Sequence, residues 1–239
     1  MTKLLFICTG NICRSPMAEF YMKDLVRRAD VAEDFAIASA ATSSEELGNP
    51  VYPPVMRLLN REGLDGSCKR ARQLSTADYD DYDLLIGMDE YNLVNMRRAF
   101  GGDPEDKLHL LLDYTGESRG IADPWYTRDF QAAWADIGLG CRALLGRLTD
   151  STVIDLKGAE RREELFARIY DVIGGQSWYG HNLDALWDVL TGEPHRGERF
   201  LLALPREDDE VYAYALRIRG LFAEAGALCG ADAPGSTCG

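Results

Sequence analysis

The chain opens on apolar residues that run without a polar break and then change period. Leu4, Leu5, Phe6 and Ile7 follow one another directly, the pattern of a strand buried on both faces. Pro16 then precedes Met17, Ala18, Glu19, Phe20 and Tyr21, and proline's fixed φ and missing N–H suit the first position of a helix. The stretch between, Cys8 to Ser15, is therefore predicted to be a strand-to-helix turn. A second strand-like run, Thr152-Val153-Ile154-Asp155-Leu156, starts just past Thr149. Helical spacing over Arg161 to Tyr170 puts Leu165, Phe166 and Ile169 on one face. Asn182 can cap a helix formed by Leu183 to Leu190, and Gly192 can end it. Arg199 to Leu204 is a further apolar run, and 208–226 has a helical pattern. No clear final strand follows, and the small-residue tail, 231–239, reads as disordered.

These runs predict an α/β chain in two parts, 1–149 and 150–230. No internal repeat and no Pro/Gly/Ser-rich linker is visible at the join, so the parts are expected to lie close together. The 239 residues are enough for one large core or two small ones.

Charge narrows the function classes. A net charge of −13 argues against general nucleic-acid binding. The acidity is shared: residues 151–239 hold 15 Asp and Glu against 9 Lys and Arg, and the first part is acidic as well. The opening apolar run is too short for a signal peptide or a membrane span. The six cysteines, at 8, 13, 68, 141, 229 and 238, show neither zinc spacing nor a secreted disulfide framework, so a cytoplasmic location is expected.

The segment CTGNICRS, Cys8 to Ser15, carries the chemistry. On a strand-to-helix turn the backbone N–H groups of residues 9–15 can curl round one anion and add to the positive end of the helix dipole. Thr9, Gly10, Asn11, Ile12, Cys13 and Ser15 are thus candidate substrate-binding residues. Donors that hold an oxyanion also favour a thiolate at Cys8. Arg14 adds a planar fork that matches two oxygens of a phosphoryl group. Ser15 can hydrogen-bond the sulfur, and Asn11 can tie the loop to itself. An attack of this kind on an aryl phosphate also needs a proton donor for the leaving phenolate. Asp123 is the candidate: Pro124 disfavours a helical conformation for it, and Trp125 and Tyr126 can line an aryl pocket.

With Pro16 and the preceding strand, CTGNICRSPMAE resembles the signature of the low-molecular-weight protein tyrosine phosphatases. Asp123-Pro124-Trp125-Tyr126 resembles that family's DP(Y/W)Y loop, whose aspartate serves as general acid and then general base. Lys69 to Gln73 resembles its (H/S)xARQ segment, Tyr82 to Asn92 the strand ending in MDxxN, and Ile37 to Thr42 the SAGT region, so the likeness extends over residues 1 to about 148. The resemblance implies a doubly wound four-stranded parallel sheet, catalytic Cys8, Arg14 and Asp123, a phosphotyrosine protein as substrate, and no metal or other cofactor. Arg70 and Arg72 read as surface residues. Ala41 stands where glycine is usual, so a positive φ there would be strained. Glu45 falls about where many relatives place an aromatic wall, and an acid there would repel acidic phosphopeptides. Ile12 replaces the threonine of relatives that act on phosphoarginine. Cys13 could trap an oxidised Cys8 as a disulfide, as the resemblance implies. Arsenate reductases share the loop but need two further, closely spaced cysteines, and Cys68 and Cys141 lie far apart.

Ser177 to Gly192 resembles the core motif of barstar, the inhibitor of an extracellular ribonuclease. The likeness implies a smaller barstar-like α/β domain, with Tyr179, Asp184 and Asp188 presented to a ribonuclease or another basic protein. The competing reading is a binding protein of this kind with a vestigial phosphatase domain.

Overall fold

The computed structural model describes residues 1–174, 180–193, 195 and 197–229. They fall into two compact units, one of Met1–Asp24 with Ala32–Leu144 and one of Leu25–Val31 with Leu145–Gly239.

The first unit is built from β1 (Thr2–Cys8), α1 (Arg14–Arg28) up to Asp24, β2 (Phe35–Ala41), α2 (Pro53–Arg61), α3 (Asp78–Asp81), β3 (Leu84–Gly87), α4 (Glu90–Phe100), β4 (Leu108–Leu110), α5 (Pro124–Thr127) and α6 (Phe130–Thr149) up to Leu144; the last residues of α1 and α6 belong to the second unit. Its sheet has the order β2-β1-β3-β4 with every pair parallel. β1 is thus interior, with Ile7 opposite both Ala40 and Gly87. That position explains the unbroken apolar run, since Leu4 to Ile7 are fully buried. The chain leaves β1 towards β2 on one side and β3 on the other, and such a switch point opens a crevice at the carboxyl ends of the strands. Cys8 closes β1 at that crevice.

The helix after the loop starts at Arg14, two residues before Pro16. Met17 N–H donates to Cys13 O at 3.1 Å and closes the first turn. Pro16 remains among the first residues, whose N–H groups have no intrahelical acceptor, so its missing donor costs the helix nothing. Ala41 ends β2 opposite Cys8. It is not among the residues with positive φ, so the strain expected of a glycine replacement does not arise.

The second unit contains β5 (Thr152–Asp155), α7 (Arg162–Ile173), α8 (Leu183–Thr191), β6 (Phe200–Ala203) and α9 (Tyr212–Glu224). β5 and β6 pair in parallel, and Ile154, Phe166, Leu186, Phe200 and Phe222 are central to the core beneath them. Asn182 Oδ1 accepts from Ala185 N–H at 2.9 Å, and Gly192 N–H donates to Asp188 O at 3.1 Å, so α8 is capped at both predicted ends. Where no final strand was legible, one residue pairs: Leu228 bridges Phe200, supported by Phe200 N–H to Ala227 O at 2.7 Å.

Within this unit Arg28 is buried. Its Nη1 donates to Asp155 Oδ1 at 2.7 Å and to the carbonyls of Ala203 and Leu204 at 3.3 and 3.0 Å. Leu204 N–H returns a bond to Arg28 O at 3.0 Å.

Candidate active site

Cys8 stands where β1 gives way to the loop, and the loop folds back on its sulfur. Asn11 N–H donates to Cys8 Sγ at 3.3 Å, and Ser15 Oγ lies 3.0 Å from it. The turn needs Asn11 at φ 55°, a left-handed conformation that asparagine tolerates better than most side chains. Gly10 leaves room for Glu46, because a Cβ there would come within 3.1 Å of Glu46 Cγ.

The Asn11 side chain fixes the direction of the bonds that reach the sulfur. Its Oδ1 accepts from Arg72 N–H at 3.2 Å, and its Nδ2 donates to Ser39 Oγ at 2.7 Å and Ser15 Oγ at 2.9 Å. Ser39 passes its own proton to Glu19 Oε2 at 2.6 Å. Ser15 accepts from Asn11, and its one hydroxyl proton is shared between Cys8 Sγ at 3.0 Å and Ala40 O at 3.4 Å. Lys69 Nζ lies 2.8 Å from Glu19 Oε2 and Lys23 Nζ 2.6 Å from Oε1. Burial alone would raise the Glu19 carboxyl's pKa, but the Lys69 charge and the bonds from Lys23, Lys69 and Ser39 outweigh it and hold it below the ordinary value. A chain of polar groups thus runs from two lysines to the cysteine.

Arg14 is almost wholly buried, its side chain 2% exposed, between two aspartates from different parts of the sequence. Its Nη1 donates to Asp89 Oδ2 at 2.5 Å and Ile121 O at 3.0 Å, and its Nη2 to Asp123 Oδ2 at 2.6 Å. Burial opposes the charge, yet Cys8, Asp123 and Asp89 together make the guanidinium hold its proton more firmly than usual. Nε–H and one Nη2–H have no acceptor among the described residues, which leaves two donors for the oxygens of an anion. Asp123 is extended at φ −77°, ψ 114°, as its proline neighbour favours, and its Oδ1 accepts from Trp125 N–H at 2.9 Å.

Cys8, Arg14 and Asp123 open into one cavity of about 710 Å³ with Thr9, Gly10, Ile12 and Cys13. Trp125, Tyr126 and Tyr91 supply aromatic surface, and Glu45 and Glu46 supply acid. Trp125 is braced by Tyr52, at 5.3 Å between ring centroids, and by the Arg128 guanidinium 5.5 Å above its ring. Burial, reinforced by the nearby Cys8 and Asp123, pushes the Cys13 thiol up to about 12, so Cys13 is a neutral thiol at physiological pH. The cleft therefore combines one sulfur nucleophile, an oxyanion cradle, a carboxyl opposite the arginine and an aryl wall. No group of side chains suited to a metal ion occurs among the described residues.

The family model described as low molecular weight phosphotyrosine protein phosphatase matches residues 3–153. The chain belongs to this family. The low molecular weight protein-tyrosine-phosphatase YfkJ of Bacillus subtilis is 36% identical over 150 residues, covering 62% of this chain and 96% of its own. The human low molecular weight phosphotyrosine protein phosphatase is 35% identical over 147 residues, 59% of this chain and 92% of that one. The crystal structure of YfkJ superposes with a TM-score of 0.60 over 63% of this chain and 96% of its own. That of a Drosophila arginine phosphatase is 29% identical, with a TM-score of 0.56 over 62% of this chain and 98% of its own. A second model, Barstar (barnase inhibitor), matches residues 149–211.

Every loop and aromatic residue proposed from the sequence belongs to this region. Asn11 and Ser15 lie buried under the loop, while the others line the cavity. Not assigned to the site from the sequence are Asp89, which caps α4, Tyr91 in the first turn of α4, Glu46, and the Glu19, Ser39 and Lys69 supports; Asp89, Tyr91, Ser39 and Lys69 fall in the segments that resemble the family. Arg72 was read as a surface residue; its guanidinium does face Asp78, at 3.0 Å, but its main-chain N–H holds Asn11. In the second unit Asp184 and Asp188 are exposed one turn apart on α8, with Trp187 between them and 37% exposed. Tyr179 lies outside the described residues.

Proposed function

We propose that the chain hydrolyses phosphotyrosine in proteins through a phosphocysteine intermediate. The observation that supports this reading most directly is Cys8 Sγ, held by Asn11 N–H and Ser15, in one cavity with Arg14, Asp123 and three aromatic side chains. Cys8 thiolate attacks phosphorus in line with the phenolic oxygen. The loop N–H groups and the two remaining Arg14 donors hold the equatorial oxygens. As the P–O bond breaks, Asp123 gives its proton to the leaving phenolate. Asp123 then takes a proton from the water that attacks phosphocysteine, and Cys8 departs as thiolate with release of phosphate. The cradle and the arginine supply the positive field that a metal supplies elsewhere.

Ile12 supports tyrosine over arginine, because an apolar side chain in the cavity offers an aryl ring contact and a guanidinium no acceptor. Arsenate reduction is not favoured: Cys68 is exposed, whereas Cys141 is fully buried with its thiol pushed far up by that burial, so the two form no relay with Cys8. The free thiols among the described residues accord with a cytoplasmic location. No described helix is long and apolar enough to cross a membrane. The test is metal-free hydrolysis of a small aryl phosphate at mildly acidic pH. Turnover abolished by Cys8→Ser is the expected result, and an inactive wild type contradicts it.

We further propose that the barstar-like domain binds a basic protein through Asp184, Trp187 and Asp188. Exposure of an aromatic between two acids one turn apart supports this surface. Full-length protein mixed with a basic secreted ribonuclease should inhibit it and lose that effect in Asp184→Ala/Asp188→Ala; an uninhibited nuclease argues against a nuclease as the partner.

A further inference from the structure

The catalytic cleft carries more acid than its chemistry requires. Its ionisable lining contains one cation, Arg14, against the carboxylates of Glu45, Glu46, Asp89 and Asp123. Asp89 and Asp123 are bonded to Arg14. Glu46 is turned towards Asn49, whose Nδ2 donates to its Oε2 at 2.7 Å, and its stem packs on Gly10. Glu45 differs from all three. Its main-chain N–H is anchored to Ser43 Oγ at 3.1 Å, so the residue is fixed in place. Its carboxylate has no hydrogen-bond or ion-pair partner among the described residues, and the residue is exposed.

Glu45 also lies on the rim between the cleft and a neighbouring groove. A second groove of about 450 Å³ adjoins the first, and the two share Thr9, Glu45 and Tyr91. The groove continues over Ser43, Ser44, Gln73, Asn95 and Arg98, a hydroxyl and amide lining with one cation. This shared rim is a route by which the residue next to a tyrosine seated against Trp125 and Tyr126 can leave the cleft. At that rim the Glu45 carboxylate makes no ion pair with Arg14 or with Arg98, the cation of the groove's lining, so the unpaired charge there is negative.

We propose that Glu45 is a specificity-determining residue, and that the substrate class is phosphotyrosine with a lysine or arginine beside it. The proposal rests on the phosphatase reading above. A cationic neighbour gains an unpaired carboxylate at the rim and offsets the repulsion the phosphoryl dianion meets from the cleft acids. An acidic neighbour adds a like charge beside the unpaired Glu45 carboxylate.

The test uses the full-length protein and two phosphotyrosine peptides of equal length, one flanked by Lys and Arg and the other by Glu and Asp. p-Nitrophenyl phosphate, which has no flanking residues, serves as reference. The basic peptide should be preferred about five- to tenfold in kcat/KM at low salt, the scale of one or two rim charge pairs, with the preference shrinking as salt is raised. The ratio should approach unity in Glu45→Gln and reverse in Glu45→Lys. Because it compares two substrates on the same variant, a general loss of activity cancels. Equal rates on both peptides with p-nitrophenyl phosphate turned over, or a preference unchanged in Glu45→Lys, overturn the proposal alone. Failure to turn over p-nitrophenyl phosphate overturns the phosphatase reading and this proposal with it.

Discussion

Arg14 Nη2 donates to Asp123 Oδ2 at 2.6 Å, tying the guanidinium of the anion cradle to the carboxyl across the cleft. The two groups come from the start of α1 and the start of α5, and the contact sets the distance between the atoms proposed to hold the phosphoryl group and the atom proposed to protonate its leaving oxygen. Asp123→Asn keeps the size of the side chain and removes its proton transfer. We expect kcat/KM on phosphotyrosine, which reports the step that releases the phenol, to fall by about 10²–10³-fold, with a smaller loss in kcat/KM on p-nitrophenyl phosphate, whose phenolate leaves without help. Kinetics over a series of leaving groups check this; an equal loss across the series would exclude Asp123 as the proton donor.

Ser39 lines no part of the cleft, yet it joins Glu19 to Asn11. Ser39→Ala removes an acceptor from Asn11 Nδ2 and a donor from Glu19. The expected cost is about 1–3 kcal/mol of stability, the range for buried polar groups that lose a partner. A several-fold loss of kcat should accompany it as Asn11 loosens. Urea unfolding and steady-state kinetics on the same preparation measure both effects, and an unaltered kcat would remove the network from the account of activity.

Glu19 makes stability depend on pH with a definite sign. Its folded carboxyl titrates below the ordinary value of 4.5, so on acidification the unfolded chain binds the proton first. Its contribution is complete above that ordinary value and is lost as pH falls through the lower, folded value. Asp78 acts in the same direction: burial would raise its carboxyl, but the Arg72 and Ser75 hydrogen bonds outweigh burial and hold it below 3.8. Unfolding midpoints measured from neutral to acidic pH should fall less steeply in Glu19→Gln than in the wild type, with the variant the less stable at neutral pH.

Arg28 and Asp155 form the buried ion pair of the second unit, with side chains 2% and 12% exposed. Arg28→Ala leaves Asp155 without its guanidinium and two strand-end carbonyls without that donor. The expected loss in this unit is about 3–5 kcal/mol. Because Leu25–Val31 belongs to the unit, a fragment beginning at residue 151 should show weaker near-ultraviolet circular dichroism than the same residues contribute in the full chain. A fragment with native signal and a cooperative melt would contradict this.

The residues legible in the sequence are those the chemistry places close together. Cys8 to Ser15 occupy one turn, so their spacing alone describes the cradle, and Asp123 announces itself through Pro124 and two aromatics. β1 was legible because an interior parallel strand is apolar on both faces. The roles of Asp89, Tyr91, Glu46 and Lys69 were not, because a helix start or a loop far along the chain brings each to the site only in the tertiary structure; the resemblance marks the segments of Asp89, Tyr91 and Lys69 but not what their side chains touch. Lys69 in particular reads as part of a charged surface run until Glu19 is placed beside it. The pairing of Leu228 was hidden for another reason: a single bridged residue has no alternation to detect.

The central claim is that Cys8 becomes phosphorylated during turnover. Acid quenching of the wild-type protein milliseconds after mixing with excess p-nitrophenyl phosphate, followed by peptide mass spectrometry, tests it directly. We expect one phosphoryl group on the peptide bearing Cys8, none in Cys8→Ser, and a higher occupancy in Asp123→Ala with p-nitrophenyl phosphate, whose phenolate leaves without an acid while the second step loses its base. Turnover of the substrate with no phosphate on that peptide at any quench time, in the wild type or in Asp123→Ala, would contradict it.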